Sequence, residues 1–306
     1  MDVLARLREQ QGGFVLFAIT PPRLSTDPAR VAEVAAATMD RLRPLDLDGL
    51  VLYDIDDESS RTEVDRPFPF SPTIDPADYL AAHLGDWPTP VVVYRAVGKY
   101  DAGSLGSWLS SQDPSRVATV LVGAASADAV APLSLTQAHG LRRDLNPDLL
   151  LGGVTIPERH DRRGDEHLRL IAKQEAGCAF FVTQIVFDTN AAKNLVSDYA
   201  YECRARGGDP APVVLTLSVC GSMRTLEFLR WLGVEVPRWI ENDLRHSADT
   251  LATSMEQAYA AAVDLVAFCR GLGVPVGVNV ESVSIRRVEI EASVELARRL
   301  VEHVRA

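Results

Sequence analysis

The chain contains no apolar run of about 18 residues or more, so no segment of its 306 residues reads as a transmembrane helix. The first stretch, Met1 to Gln11, mixes acids and bases along an amphipathic pattern and lacks the apolar centre of a secretory signal. Cysteine is scarce and scattered: Cys178, Cys203, Cys220 and Cys269 lie far apart in apolar or helical contexts, against both a disulfide framework and a zinc knuckle. A cytoplasmic location is expected, and no metal is. Positive charge is also in deficit. The formal net charge is −11, and the one basic cluster, Arg159 to Arg163, is interrupted by His160 and Asp161. Nucleic acid is therefore not an expected partner, because the electrostatic footprint is missing. No repeat, low-complexity segment or linker divides the chain, so residues 1–306 read as a single domain, monomeric or a small homo-oligomer. A small polar molecule remains as the expected partner.

What the chain has in quantity is alternation. Strand-like apolar runs at Gly13–Ile19, Gly49–Tyr53, Pro90–Ala96, Val117–Val122, Leu149–Val154, Ala179–Val186, Pro212–Val219 and Pro275–Val280 are separated by amphipathic helical patterns. Asp27-Pro28 and Asp75-Pro76 read as helix starts, an aspartate cap followed by proline at the first helical position. Eight such βα units favour an α/β fold of the (β/α)₈ TIM-barrel type over an open doubly wound sheet. A helical piece at Pro237–His246 before the long Asp249–Arg270 helix implies an additional helix before strand eight, and Arg286–Val304 closes the series.

Barrel chemistry sits on the loops that follow the strands. The first strand exits through Thr20-Pro21-Pro22-Arg23, a stiff turn. The second ends at Tyr53, a candidate cofactor contact, and runs into Asp54-Ile55-Asp56-Asp57-Glu58, the start of a long loop that is more often functional than idle. One of its acids, Asp54, Glu58 or Asp57, is expected to donate a proton; a solvated acidic loop is the bland alternative. Beyond the fifth strand, His160 lies outside the apolar run, and Glu166, Arg169 and Lys173 share a helix face able to meet a ribose and a diphosphate, or simply to be solvated. Gln184 interrupts the sixth strand near its C-terminal end, where a polar side chain is a candidate ligand contact or a tie to a neighbouring loop. Glu281, after the eighth strand, is a candidate substrate contact and the next acid in line.

Three segments, in order, resemble methylenetetrahydrofolate reductase. Phe17-Ala18-Ile19-Thr20-Pro21-Pro22-Arg23 is similar to that family's Phe-Glu-Phe-Phe-Pro-Pro-Arg first strand, and Ile156-Pro157-Glu158-Arg159-His160 to its Tyr-Pro-Glu-x-His segment. Ala176 to Asp188 is similar to its Ala-Gly-Ala-x-x-x-Ile-Thr-Gln-x-x-x-Asp strand. The resemblance implies a barrel that reduces 5,10-methylenetetrahydrofolate to 5-methyltetrahydrofolate with electrons from a nicotinamide cofactor, usually relayed by FAD. It implies that Gln184 contacts the folate, that His160, Glu166 and Lys173 line the flavin's ribityl, ribose and diphosphate groups, and that Tyr94 replaces a histidine of that site.

Two departures qualify it. Ala18 stands where the family has its glutamate acid, and Gly123-Ala124-Ala125-Ser126 replaces an arginine- and aspartate-bearing exit of the fourth strand. The chain resembles a flavin-independent bacterial branch, in which NADH occupies the old flavin groove and FAD is absent. Because strand two neighbours strand one, the acids after strand two are the expected substitutes for the missing glutamate. Two alternatives stay open: an FAD-dependent reductase with a rearranged site, and a non-catalytic folate- or nucleotide-binding homologue.

Overall fold

A computed structural model describes residues 1–57, 64–123 and 132–305. Eight parallel strands close into a barrel in sequence order, each paired with its chain neighbours and the last with the first. They are β1 (Val15–Ile19), β2 (Gly49–Leu52), β3 (Val91–Ala96), β4 (Val117–Val122), β5 (Leu151–Thr155), β6 (Phe180–Ile185), β7 (Val213–Ser218) and β8 (Val276–Glu281). The helices are α1 (Val3–Arg8), α2 (Pro28–Leu42), α3 (Pro76–His83), α4 (Ala102–Ser111), α5 (Leu135–Leu145), α6 (Pro157–Arg163), α7 (Glu166–Glu175), α8 (Thr189–Ala205), α9 (Met223–Trp231), α10 (Arg238–His246), α11 (Thr250–Gly271) and α12 (Arg287–Arg305). This is the (β/α)₈ TIM barrel expected from the alternation. Asp27 and Asp75 cap their helices as read, each accepting from a backbone N–H, with proline in the first turn.

Strand pleating sorts the side chains. Outward residues such as Val15, Leu50, Val93, Leu215, Val278 and Val280 pack with the surrounding helices into one large core. Inward residues Leu16, Ala18, Val51, Val92, Tyr94, Ala118, Val120, Phe180, Val182 and Val214 fill the barrel. The amphipathic N-terminal segment closes its base: Val3, Leu4 and Leu7 of α1 join that interior cluster beneath Phe14. The interlock is tight, since a Cβ on Gly277 would meet the Phe14 ring at 2.1 Å.

Two connections are more elaborate than the rest. Between β7 and β8 stand α9, α10 and α11, so the expected additional helix is present in a unit that holds three. After β5 two helices follow in place of one, because Gly164 adopts φ 70° and ends α6 before α7 begins at Glu166. No helix among the described residues is long and apolar enough to cross a membrane.

Candidate active site

At the C-terminal mouth the inward positions turn from apolar to polar. Glu281, the last residue of β8, accepts a hydrogen bond from the Tyr53 hydroxyl at the end of β2. Asn279, two residues earlier on the same face, donates to the Tyr53 oxygen at 3.0 Å and to Thr216 Oγ1 at 3.4 Å. The Tyr94 ring stands edge-on to Tyr53, with centroids 4.9 Å apart. Asn279 is fully buried, and its Oδ1 finds no donor among the described residues. A buried acceptor left unpaired is costly, on the order of 1–3 kcal/mol, and such groups concentrate where function retains them.

This setting changes the chemistry of Glu281. Burial among Tyr53, Tyr94 and the barrel wall penalises the carboxylate and pushes its pKa up to about 7, while the Tyr53 hydrogen bond pulls in the opposite direction. Some solvent still reaches the side chain, which is partly accessible from the mouth. Burial and the negative charge of Glu281 both keep the Tyr53 and Tyr94 phenols protonated. The result is an acid half-ionised near neutrality, next to two phenols that hold their protons.

The sheet register gives Glu281 a further meaning. Ala18 of β1 is its partner in the β1–β8 pairing, and in a parallel ladder register partners face the same side. The carboxyl that Ala18 lacks is thus present one strand away, at the same height.

The acids after β2 are placed differently. Asp54 is buried outside the barrel interior, where it binds Lys99 Nζ at 2.5 Å, the Tyr100 hydroxyl at 2.6 Å and the Ala96 amide at 2.8 Å. Three donors occupy its carboxylate, so it ties the exit of β2 to that of β3. Asp57 is exposed, and Glu58 lies outside the described residues. Further along the same loop, Trp231 Nε1 donates to Val64 O at 3.0 Å, Arg224 to Pro67 O at 2.9 Å, and Phe68 meets Phe228 edge-on at 5.5 Å. The segment is also bridged to the exit of β1 through Arg23 and Thr73. The described residues from 64 onward thus contact α9 and, through Thr73, the exit of β1.

The residues after β5 form a second group. Glu166, fully buried, accepts from Thr155 Oγ1 at 3.3 Å, the Ile156 amide at 3.2 Å and Arg159 at 3.1 Å. Lys173 donates to the Val154 carbonyl, and burial lowers its pKa against the pull of Glu166. His160 faces away from this pair, toward Asp198 of α8 at 3.0 Å. Gln184 donates to the Leu232 carbonyl at 3.2 Å, which holds it at the rim on the α9 side, where the β6–β7 register shifts between Val182 and Ile185. The structure thus brings Tyr53, Tyr94 and Glu281 into contact, sets Lys173 within electrostatic reach of Glu166 beside β5, and turns His160 toward Asp198. Glu166, Lys173 and His160 are each engaged by groups of the protein itself, and the exit bearing Ala124 to Ser126 lies outside the described residues.

Asn279 and Thr216 belong to the site and were not singled out from sequence. The signal was available: in Val276-Gly277-Val278-Asn279-Val280-Glu281 the valines alternate with residues that become polar toward the mouth. A cavity of about 390 Å³ lies apart from the barrel interior, lined by Arg162, Arg230 and Gly233 to Val236. Its two arginines are already paired, with Glu235 at 3.3 Å and Glu241 at 2.6 Å, so the convergent chemistry at Glu281 is the better guide to the site.

No protein-family model matches the chain, and no curated protein does. Among solved structures, an uncharacterized protein from Clostridium thermocellum that binds two copies of 5-methyl-5,6,7,8-tetrahydrofolic acid superposes with a TM-score of 0.86. It is 40% identical, over 97% of this chain and 98% of that one. A psychrophilic glycoside hydrolase family 10 endo-β-1,4-xylanase, 10% identical with a TM-score of 0.51 over 98% of this chain and 99% of that one, shares the fold alone.

Proposed function

The chain belongs to the same family as that Clostridium thermocellum protein, and from this premise we propose that its barrel mouth binds a reduced folate and catalyses reduction of 5,10-methylenetetrahydrofolate to 5-methyltetrahydrofolate by direct hydride transfer from NADH. The family relation supports the folate half of the reading. The observation that carries the chemical half is the Glu281 carboxyl, protonated to near neutral pH by burial and standing in register beside Ala18.

The reaction needs little from the protein beyond alignment and one proton. Opening the five-membered ring of the substrate breaks the bond between the methylene carbon and N10 and leaves an iminium at N5. NADH supplies the hydride to that carbon, becoming NAD⁺, and N10 takes up a proton. Glu281 in its acid form is the donor, and the balance is one hydride and one proton per methyl group formed. Tyr53 holds the carboxyl in place, and Asn279 in turn holds the Tyr53 hydroxyl. A reach of about 3–3.5 Å between hydride and carbon is what binding must secure. Gln184, an amide with donor and acceptor together, suits the edge of a pterin ring. Lys173 suits the dinucleotide diphosphate once it releases the Val154 carbonyl.

The deciding experiment is anaerobic NADH oxidation with 5,10-methylenetetrahydrofolate, with and without FAD. Turnover without flavin is expected. Turnover that requires FAD supports a flavoenzyme with a rearranged site, and folate binding with no turnover under either condition supports a binding protein.

A further inference from the structure

Where α6, α7 and α8 meet, two imidazoles and a carboxylate converge. His160 of α6, His167 of α7 and Asp198 of α8 each offer one ligand atom, and these atoms all lie within 4.8 Å of one another. The turn at Gly164 makes this possible: it ends α6 and restarts the chain as α7, so residues seven apart in sequence bring their rings to 5.1 Å, nearly perpendicular. His160 Nε2 is 3.0 Å from Asp198 Oδ2.

A histidine–aspartate ion pair explains two of the three residues. It leaves His167 without a role, and it leaves Nδ1 of both His160 and His167 buried with no partner among the described residues. His160 is only 5% exposed, so water does not make good that loss. Nearby basic groups are already neutralised: Arg159 is held by Glu166 at 3.1 Å and Arg162 by Glu235 at 3.3 Å, while Asp161 accepts from Asn194 at 3.1 Å. Asp198 is 57% exposed, which leaves one side of the cluster open to solvent.

We infer that His160, His167 and Asp198 form a binding site for a divalent transition-metal cation of the zinc type, with water completing the coordination. Two imidazole nitrogens and one carboxylate oxygen are the donor set that borderline cations favour over the all-oxygen sites of magnesium or calcium. Metal–ligand bonds of about 2.0–2.2 Å in a tetrahedral arrangement set donors roughly 3.4 Å apart, so a cluster already within 4.8 Å needs only a small contraction to reach that geometry. A bound cation would pin α6, α7 and α8 together, and with them the segment carrying Glu166 and Lys173.

The test uses the full chain, stripped with a chelator and titrated with zinc chloride by calorimetry and with cobalt(II) by visible absorption. One equivalent per chain is expected, with cobalt d–d bands of low coordination number and reversal by chelator. His167→Ala and Asp198→Asn should each weaken binding at least about tenfold. Asp198→Asn alters an exposed side chain without changing its size, so it decides the matter even where His167→Ala disturbs folding. Absence of saturable binding, or binding that Asp198→Asn leaves intact, overturns the proposal.

Discussion

Glu281 holds its proton because its surroundings penalise the carboxylate, and Tyr53 opposes that by donating to the charged form. If it is the acid, Glu281→Gln lowers kcat by about 10²–10⁴-fold while NADH and folate still bind in equilibrium titrations; near-normal turnover would return the role to Glu58 or Asp57. Asp54→Asn should instead lower the denaturant midpoint, since it disrupts a buried carboxylate paired with Lys99. The pH dependence follows from the sign of the shift. The acid form is required, so kcat should fall as pH rises through about 7. Tyr53→Phe removes the bond that stabilises the carboxylate, so that fall should move to higher pH. Glu158, also pushed up to about 7 by burial, lies on α6 and provides the control: Glu158→Gln should leave the profile unchanged. Stability responds in the same sense. The folded-state pKa of Glu281 is raised from 4.5, so its contribution is present in acid and is lost as pH rises between about 4.5 and 7. Glu281→Gln should therefore gain stability over the parent at pH 8 and show no gain at pH 4 in thermal melts.

At the scale of elements, the two candidate groups separate the ligands. Lys173 sits on α7 behind β5 and Gln184 at the end of β6, so their substitutions should affect different partners. Lys173→Ala is expected to weaken NADH binding by roughly 1.5–3 kcal/mol, the range for charge-assisted hydrogen bonds, with folate affinity moving much less. Gln184→Ala should raise the apparent KM for folate and spare NADH. Calorimetry for each ligand checks both, and equal losses in either variant would undo the assignment. The base of the barrel depends on α1. Leu4 is fully buried beneath Phe14, so Leu4→Ala should cost about 2–5 kcal/mol in denaturant unfolding, as for other large-to-small core changes, with KM unchanged.

For the whole molecule, the barrel concentrates its polar groups at one end because the other is plugged by α1 and the sides are sealed by helices. Under the proposed reading, the reductant is then expected to enter beside the folate through the same mouth. The protein is expected to purify without stoichiometric flavin, and added FAD is expected not to raise its reductase rate; release of one flavin per chain on denaturation would contradict this.

The order of strands and helices was determined by the sequence alone. Runs of valine, leucine and phenylalanine bounded by capping aspartates and prolines are local signals, and the eight strands fall within about two residues of the runs read from them. The preference of a parallel sheet for apolar residues on both faces made Gln184 visible as an exception. What the chain could not reveal was which polar residues meet. Asp54 and Glu281 look alike in sequence, each an acid at the end of an apolar strand run; only the pleat and the pairing turn one toward Lys99 and the other into the barrel. The partnership of Ala18 with Glu281 joins the first strand to the last, and the meeting of His160 with Asp198 joins α6 to α8. Contacts between residues so far apart along the chain depend on closure of the barrel and on helix packing, and local pattern carries no record of either.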